Sequence, residues 1–140
     1  MATNLLVRDV MTKKVKVVRE DTTLQEIIAT LGSFKINSLI VMQGDRPVGI
    51  ITTKDALVRG LQHGMPASAI TAKMVATSPV TTIREEASVD EAAELMKRAK
   101  IKHLPVVSDG KLVGVVSDID IVFAVPSMMK TMEQICHSQQ

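Results

Sequence analysis

The segment VGIITTKDAL at residues 48–57 recurs as VGVVSDIDIV at residues 113–122, an offset of 65 residues. The same offset aligns all of residues 10–57 with residues 75–122 without a gap, and 13 of these 48 positions are identical. A repeat of this length is one supersecondary unit that cannot bury its apolar face alone. The sequence therefore predicts two copies of one unit, paired about a pseudo-twofold axis, with two related sites near that axis.

Each copy is predicted to form a strand, a helix, two further strands and a second helix. The first strand falls at residues 15–18 and at residues 80–83. Two short apolar runs later flank a turn at residues 44–47 in one copy and at residues 108–111 in the other, which is typical of a hairpin. Because these runs are continuous in Val, Ile and Leu, we expect strands that are covered on both faces. The predicted fold is α/β (α+β), with two β-α-β-β-α repeats packed sheet to sheet.

The first helix of each copy has a clear start signal. Thr23 is followed three residues later by Glu26, and Ser88 by Glu91, which is the pattern of a reciprocal capping box. The second helix is expected to begin near Asp55 and its counterpart. The predicted organisation is a first repeat at 1–60, a connector at 61–73, a second repeat at 74–126 and a tail at 127–140. The tail is either a Met-rich helix for an oligomer contact or a frayed end.

Composition excludes several classes of protein. The 140 residues are 46% apolar and 23% charged, which suits one soluble globular domain. Two Phe, no Tyr and no Trp count against a protein that stacks nucleic-acid bases, and a net charge of +2 is too weak to imply a nucleic-acid or membrane partner. Cys136 has no partner for an intrachain disulfide, and its thiol is interpreted as incidental. Without a signal peptide or spanning segment, we expect a cytoplasmic protein.

The chemistry is concentrated where the second hairpin strand ends. Gly49-Ile-Ile-Thr52-Thr-Lys-Asp55 and Gly114-Val-Val-Ser117-Asp-Ile-Asp120 share a glycine, two apolar residues, a hydroxyl and then an aspartate. The glycine allows a turn or the close approach of another group. A hydroxyl before a helix N-terminus suits a phosphate, and a carboxylate can accept hydrogen bonds from both ribose hydroxyls. These groups suit a nucleotide, but the same residue types are also ordinary helix caps, and both interpretations remain open here.

The whole arrangement resembles a pair of cystathionine β-synthase (CBS) domains, the tandem called a Bateman module. The resemblance covers roughly residues 5–125. Its marks are VMT at 10–12, VAT at 75–77, the segment HLPVV at 103–107 and the two endings with a hydroxyl and an aspartate. Each mark is weak alone, but their order and fixed offset make the combination specific.

The resemblance implies two clefts that bind adenosine ligands such as AMP, ADP, ATP or S-adenosylmethionine. By position, it implies that Asp55 and Asp120 hold the ribose, and that Thr52 and Ser117 meet the phosphate. It places Lys54 and Ile119 along the sugar and base. The adenine is implied to lie among Val15, Lys16, Ile36 and Ser38 in one cleft, and among Val80, Thr81, Ile101 and His103 in the other.

The resemblance also implies phosphate contacts from the opposite repeat. Lys102 and His103 are nominated for the Asp55 cleft, and Asn37 for the Asp120 cleft. The sequence departs from the family pattern where Ile40 stands in place of the proline seen at Pro105, and where Ala76 stands in place of Met11. Asn37 and Ser38 are uncharged where the second repeat has Lys102 and His103. The Asp120 cleft would therefore receive less positive charge from the opposite repeat, and we expect the Asp55 cleft to prefer the more phosphorylated ligand.

Three functions follow from these features. The first is an adenine-nucleotide sensor that signals through its own dimer, expected to be a homodimer, or through a separate regulated protein, since the sequence shows no second domain to regulate. S-adenosylmethionine is the alternative ligand, and a purely structural dimer without ligand is the third possibility. Catalysis is not expected, because the three histidines (His63, His103 and His137) and Cys136 lie far apart without metal-ligand spacing or a nucleophile motif.

Overall fold

The structure, a computed structural model, describes residues 4–138 and their side chains through residue 135. The predictions for Cys136 and His137 therefore fall outside the described side chains. The helices are α1 (Val7–Val10), α2 (Leu24–Phe34), α3 (Thr53–Gln62), α4 (Ala72–Val75), α5 (Val89–Ala99), α6 (Asp118–Ala124) and α7 (Met129–Ser138). The strands are β1 (Val17–Arg19), β2 (Ser38–Gln43), β3 (Arg46–Thr52), β4 (Ile83–Arg84), β5 (His103–Ser108) and β6 (Lys111–Ser117).

The strands form two three-stranded sheets of the same design. In each sheet the first strand pairs in parallel with the second, and the second pairs with the third as an antiparallel hairpin. The middle strand β2 is continuously buried through Leu39, Ile40 and Val41, as its unbroken apolar run indicated. The predicted α/β fold with two strand–helix–strand–strand–helix repeats is confirmed.

Several element boundaries differ from the prediction. β1 begins at Val17 and β4 at Ile83, two and three residues later than expected, because pairing with the central strand starts only there. The turn of the first hairpin is limited to Gly44 and Asp45, since Arg46 pairs with Gln43 within the hairpin. Gly44 has a φ of +66°, which explains a glycine at this position of a two-residue turn.

The chain forms two compact units. One is the continuous stretch Val15–Val80, and the other combines Met1–Lys14 with Thr81–Gln140, so far as these are described. Each unit contains one sheet together with a short segment that precedes the other sheet in sequence. We call these segments the first opening segment (residues 7–12), which pairs with β6, and the second opening segment (residues 72–77), which pairs with β3.

The tail is an integral helix of its unit. Met132 is 3% exposed and Ile135 is fully buried, and both belong to the apolar core formed by α5, β5 and β6. Of the two alternatives for the tail, a frayed end is therefore wrong for residues 129–138. The predicted helix is present, but these two side chains pack inside their own unit. No helix within residues 4–138 has both the length and the hydropathy needed to cross a bilayer.

The reciprocal capping boxes lie at other helices than predicted. At α2 and α5, Thr23 and Ser88 accept hydrogen bonds from the amides of Glu26 and Glu91 at 3.2 and 3.0 Å. The reciprocal carboxylate bond is not formed there within the described part of the chain. The full reciprocal boxes lie instead at the starts of α3 and α6, where the nucleotide motif was expected.

Candidate functional site

The start of α3 brings the first hydroxyl and carboxylate together. The Asp55 amide donates to Thr52 Oγ1 at 3.1 Å, and the Thr52 amide donates to Asp55 Oδ2 at 3.0 Å. These two bonds satisfy backbone groups that a helix start would otherwise leave unpaired. They hold both side chains in one fixed arrangement, half-buried at the end of β3.

The start of α6 repeats this arrangement in the second repeat. The Asp120 amide donates to Ser117 Oγ at 3.1 Å, and the Ser117 amide donates to Asp120 Oδ2 at 2.9 Å. Each aspartate uses one oxygen, Oδ2, for the cap. Since a carboxylate has a second oxygen with its own lone pairs, the capping role leaves Oδ1 available to a ligand hydroxyl. The structural and the ligand-binding interpretations are therefore compatible.

The motif glycines lie under the two opening segments. A Cβ added at Gly114 would be 2.8 Å from both Met11 Sδ and the Thr12 carbonyl oxygen. A Cβ added at Gly49 would be 3.2 Å from the Thr77 carbonyl oxygen. The glycines are thus explained by close approach of the backbone, one of the two roles expected for them, and the approaching chain is the VMT or VAT segment of the other repeat.

Seven residues predicted for the Asp55 cleft lie in one compact unit, near one end of its sheet, whereas Lys102 and His103, nominated for its phosphate, belong to the other unit. Ser38 pairs with Thr52 across β2 and β3, and the Asn37 carbonyl accepts from the Thr53 amide at 2.9 Å. The Lys16 carbonyl accepts from the Ile40 amide at 3.4 Å, which places the start of β1 beside β2. The seven residues are Val15, Lys16, Ile36, Ser38, Thr52, Lys54 and Asp55, and the same unit contains Asn37, which was nominated for the Asp120 cleft.

The residues predicted for the Asp120 cleft are divided between the two units. His103 pairs with Ser117 across β5 and β6. Val80 and Asn37 belong to the other compact unit, whereas this one contains Thr81, Ile101, His103, Ser117, Ile119 and Asp120. This unit also contains Lys102, which was nominated for the Asp55 cleft and whose carbonyl accepts from the Asp118 amide at 3.0 Å. The phosphate contacts from the opposite repeat, and the adenine contacts, stay predictions.

The surroundings of His103 lower the pKa of its imidazole. Burial lowers the pKa of its imidazole below the ordinary value of 6.5, and nearby Lys102 lowers it further. The carboxylates of Asp118 and Asp120 act in the opposite direction and do not outweigh burial. This shift favours the uncharged imidazole, which can donate one hydrogen bond to a phosphate and accept another, but carries no positive charge.

Two residues near the first site were not predicted from the sequence. Arg59 lies one helical turn after Asp55, with its Nε 3.8 Å from Asp55 Oδ1. Phe34 is 53% exposed at the end of α2 and carries the Lys16 ammonium 3.9 Å from its ring centroid. The second repeat has alanine at both equivalent positions, so a comparison of the two copies gave no signal for either residue.

An open groove of about 900 Å³ lies at the opposite end of the first sheet. It is bordered by the end of β1, the first hairpin turn and α2, and it contains none of the predicted site residues. Its charged lining combines Arg19 with Glu20, Asp21 and Glu26, an excess of negative charge that would repel a phosphate. We therefore place the candidate site at the starts of α3 and α6, where the motif residues lie, and not in this groove.

Comparison with known proteins identifies the family. A sequence model of the CBS domain matches residues 7–60 and again residues 72–127, which is most of the chain. The chain belongs to the CBS domain family and carries two of its domains in tandem. A tandem of CBS domains is a regulatory module, and proteins built only of CBS domains are typically regulatory rather than catalytic.

Two curated relatives are similar along most of this chain. Hypoxic response protein 1 of Mycobacterium tuberculosis is 29% identical over 132 residues, covering 92% of each chain. An uncharacterized protein of Methanopyrus kandleri is 33% identical over 114 residues, covering 80% of this chain. This chain spans only 58% of the Methanopyrus protein's length.

Two solved structures share the fold. The crystal structure of Hypoxic Response Protein I with two coordinated zinc ions has a TM-score of 0.78 and 28% identity, over 86% of this chain and 98% of that one. CBSX2 in complex with AMP has a TM-score of 0.77 and 24% identity, over 89% of this chain and 98% of that one. Among the side chains described here, no group of three or more His, Cys, Asp or Glu residues could hold a metal ion.

Proposed function

We propose that this protein is an adenine-nucleotide sensor, in which Asp55 and Asp120 bind the ribose of AMP, ADP or ATP. The observation that carries the proposal is the pair of hydroxyl–carboxylate boxes, which fixes Asp55 in one repeat and Asp120 in the other. Each box holds its carboxylate in advance, so a ligand would not have to order it on binding. Preorganisation of this kind lowers the entropic cost of association.

Phosphate recognition is proposed to differ between the two sites. Thr52 and Ser117 lie at the helix starts, where the positive end of the helix dipole favours an anion. Lys102 and His103 are proposed to contact the phosphate in the Asp55 site from the opposite repeat. The uncharged Asn37 is proposed to contact the phosphate in the Asp120 site. The Asp55 site is therefore proposed to prefer the more highly phosphorylated ligand.

Regulation is proposed to act through a homodimer or a separate partner protein. Helix α3 exposes Leu57 and Leu61 to 61% and 74%, and α6 exposes Ile119 and Phe123 to 59% and 82%. Large apolar side chains grouped on one helix are typical of a surface that contacts another protein. A ligand alters such an assembly only if it binds two of its states with different affinity.

Binding is tested by thermal unfolding with AMP, ADP, ATP and S-adenosylmethionine, followed by calorimetric titration of each ligand that stabilises the protein. A ligand at one hundred times its dissociation constant should stabilise the folded state by about 2.7 kcal/mol. Because S-adenosylmethionine contains adenosine but no phosphate, stabilisation by it alone would support the alternative sensor. No shift with any of the four ligands would favour the purely structural dimer.

The site residues are tested with Asp55→Asn and Asp120→Asn rather than with alanine. The Asn side-chain oxygen still accepts the capping bond, whereas its amide group places donors where the ribose hydroxyls need an acceptor. Thr23→Ala is the matched control, since it removes the hydroxyl cap of α2, away from the motif. We expect each Asn variant to lose one of two binding events. Equal affinities of both variants for AMP and for ATP would contradict the proposed difference between the sites.

A further inference from the structure

Arg59 makes a connection in the first repeat that is built from three contacts. Its Nε lies 3.8 Å from Asp55 Oδ1, and its Nη1 donates to the carbonyl oxygens of Ala76 at 2.8 Å and Val75 at 3.5 Å. The ion pair is weak by itself, because 44% of the Arg59 side chain is exposed. The Ala76 bond is short and charge-assisted, and it lies at a helix C-terminus, where positive charge is favoured.

The carbonyl groups that Arg59 contacts belong to the second opening segment. Beyond Ala76, this segment is fixed to β3, because the Ile50 amide donates to the Thr77 carbonyl at 3.1 Å and the Thr77 amide donates to the Ile50 carbonyl at 2.9 Å. A contact of 3.2 Å between His63 Nε2 and the Met74 carbonyl oxygen adds a further attachment to α3. The segment is thus held by the sheet on one side and by α3 on the other.

The second repeat cannot form this connection at α6. At the offset of 65 residues, Ala124 takes the position of Arg59, and Met128 takes that of His63. Asp120 forms the same cap as Asp55, but no guanidinium follows it one turn later. Asp55 therefore has an arginine one helical turn later that contacts its carboxylate, and Asp120 does not. This difference is independent of the residues that are predicted to contact the ligand phosphate in each site.

We propose that Arg59 is a positioning residue that couples a ligand on Asp55 to the second opening segment. The inference rests on the proposed function, since it takes the ribose to bind Asp55. The cap already holds the carboxylate through Oδ2, so ribose hydroxyls that donate to Oδ1 would act by displacing water beside this oxygen, which strengthens its ion pair with Arg59. The guanidinium would then lose less freedom on binding Ala76, and the segment would be held more firmly. Two binding events that share the cost of ordering one group are positively coupled.

The test is amide hydrogen exchange with and without saturating AMP, read at the Thr77 amide. In the unaltered protein we expect AMP to slow this exchange about fivefold or more, which is the usual lower range of such coupling. Arg59→Ala should abolish the slowing while AMP still binds, and Arg59→Lys should restore part of it. The matched reference is the Thr12 amide, which bonds to Val115 at 2.8 Å in the second repeat and has no Arg59 counterpart. Its response to AMP should not depend on Arg59.

A measurement without ligand separates this inference from the proposed function. In the ligand-free protein, Asp55→Asn should speed exchange at Thr77 when Arg59 is present and have no further effect in Arg59→Ala. If AMP does not bind but this dependence is found, the nucleotide proposal fails and the Arg59 connection stands. If AMP binds and slows Thr77 equally in Arg59→Ala, or if the dependence is missing, the coupling is overturned.

Discussion

The close contact at Gly114 gives a sharp prediction for Gly114→Ala. The new Cβ would lie 2.8 Å from the Thr12 carbonyl oxygen and 2.8 Å from Met11 Sδ. The sulfur can move, but the carbonyl cannot move freely, because Thr12 exchanges two backbone hydrogen bonds with Val115 at 2.8 and 3.0 Å. Relief of the contact must therefore shift β6 or weaken its pairing with the first opening segment.

The size of the effect follows from two opposing terms. Overpacking a rigid site costs about 1–3 kcal/mol. Replacing a glycine in a compatible backbone gains about 0.4–1 kcal/mol by restricting the unfolded chain. At Gly49 the nearest contacts are 3.2 and 3.3 Å, so the two terms should nearly cancel. We expect Gly114→Ala to lower the melting temperature by a few degrees, at about 3 °C per kcal/mol, and Gly49→Ala to leave it almost unchanged.

The assay is urea unfolding at 25 °C together with calorimetric melting of both glycine variants. Met11→Ala in the Gly114→Ala background provides the internal control, because it removes the sulfur contact and leaves the carbonyl contact. Most of the destabilisation should persist in that double variant, measured against Met11→Ala alone. Equal stability of the two single variants, or complete recovery in the double variant, would refute the reasoning from a fixed backbone.

Three further predictions concern pH, the tail and assembly. The folded state keeps the His103 pKa below 6.5, so on acidification the unfolded chain takes up the proton first. The free energy of unfolding should therefore fall between pH 7 and 5 more steeply in the unaltered protein than in His103→Gln. Matching slopes of the two proteins in urea unfolding would exclude this. Ile135→Ala should lower the free energy of unfolding by about 2–5 kcal/mol, because Ile135 is fully buried. Glu133→Ala should leave it almost unchanged, because Glu133 is exposed. Equal unfolding midpoints of the two variants would contradict the packing of α7. The proposed homodimer should dissociate in Phe123→Asp and persist in Phe34→Asp when both are examined by sedimentation. An unchanged dimer in Phe123→Asp would remove α6 from the proposed interface.

The sheets were predictable because their strands are continuous apolar runs with short turns between them. The starts of β1 and β4 were not, since Val15 and Val80 have strand-forming side chains but lie before the residues that pair with the central strand. The four-residue helices of the two opening segments are too short to show a helical period. The tail was ambiguous for a related reason, because among the side chains of α7 described through residue 135 only Met132 and Ile135 are buried.

The candidate site was predictable in its residues but not in its surroundings. Spacing alone placed each hydroxyl and aspartate at a helix start, and the structure forms both boxes there. The sequence could not separate a cap from a ligand site, because one carboxylate can serve both with different oxygens. Arg59 was not predictable in this way, because the motif consists of residues that the two copies share, and this arginine has no counterpart in the second copy.

The crossed opening segments have a consequence for the folding of the chain. The opening segment of each repeat pairs with the sheet of the other repeat, so a cut at the repeat boundary would leave each half without a piece that it needs. In a chain with one repeat, the same pairing would require a second molecule, and folding would depend on concentration. Because this chain contains both repeats, the pairing is intramolecular, so complete folding of each unit should be as fast in dilute solution as in concentrated solution.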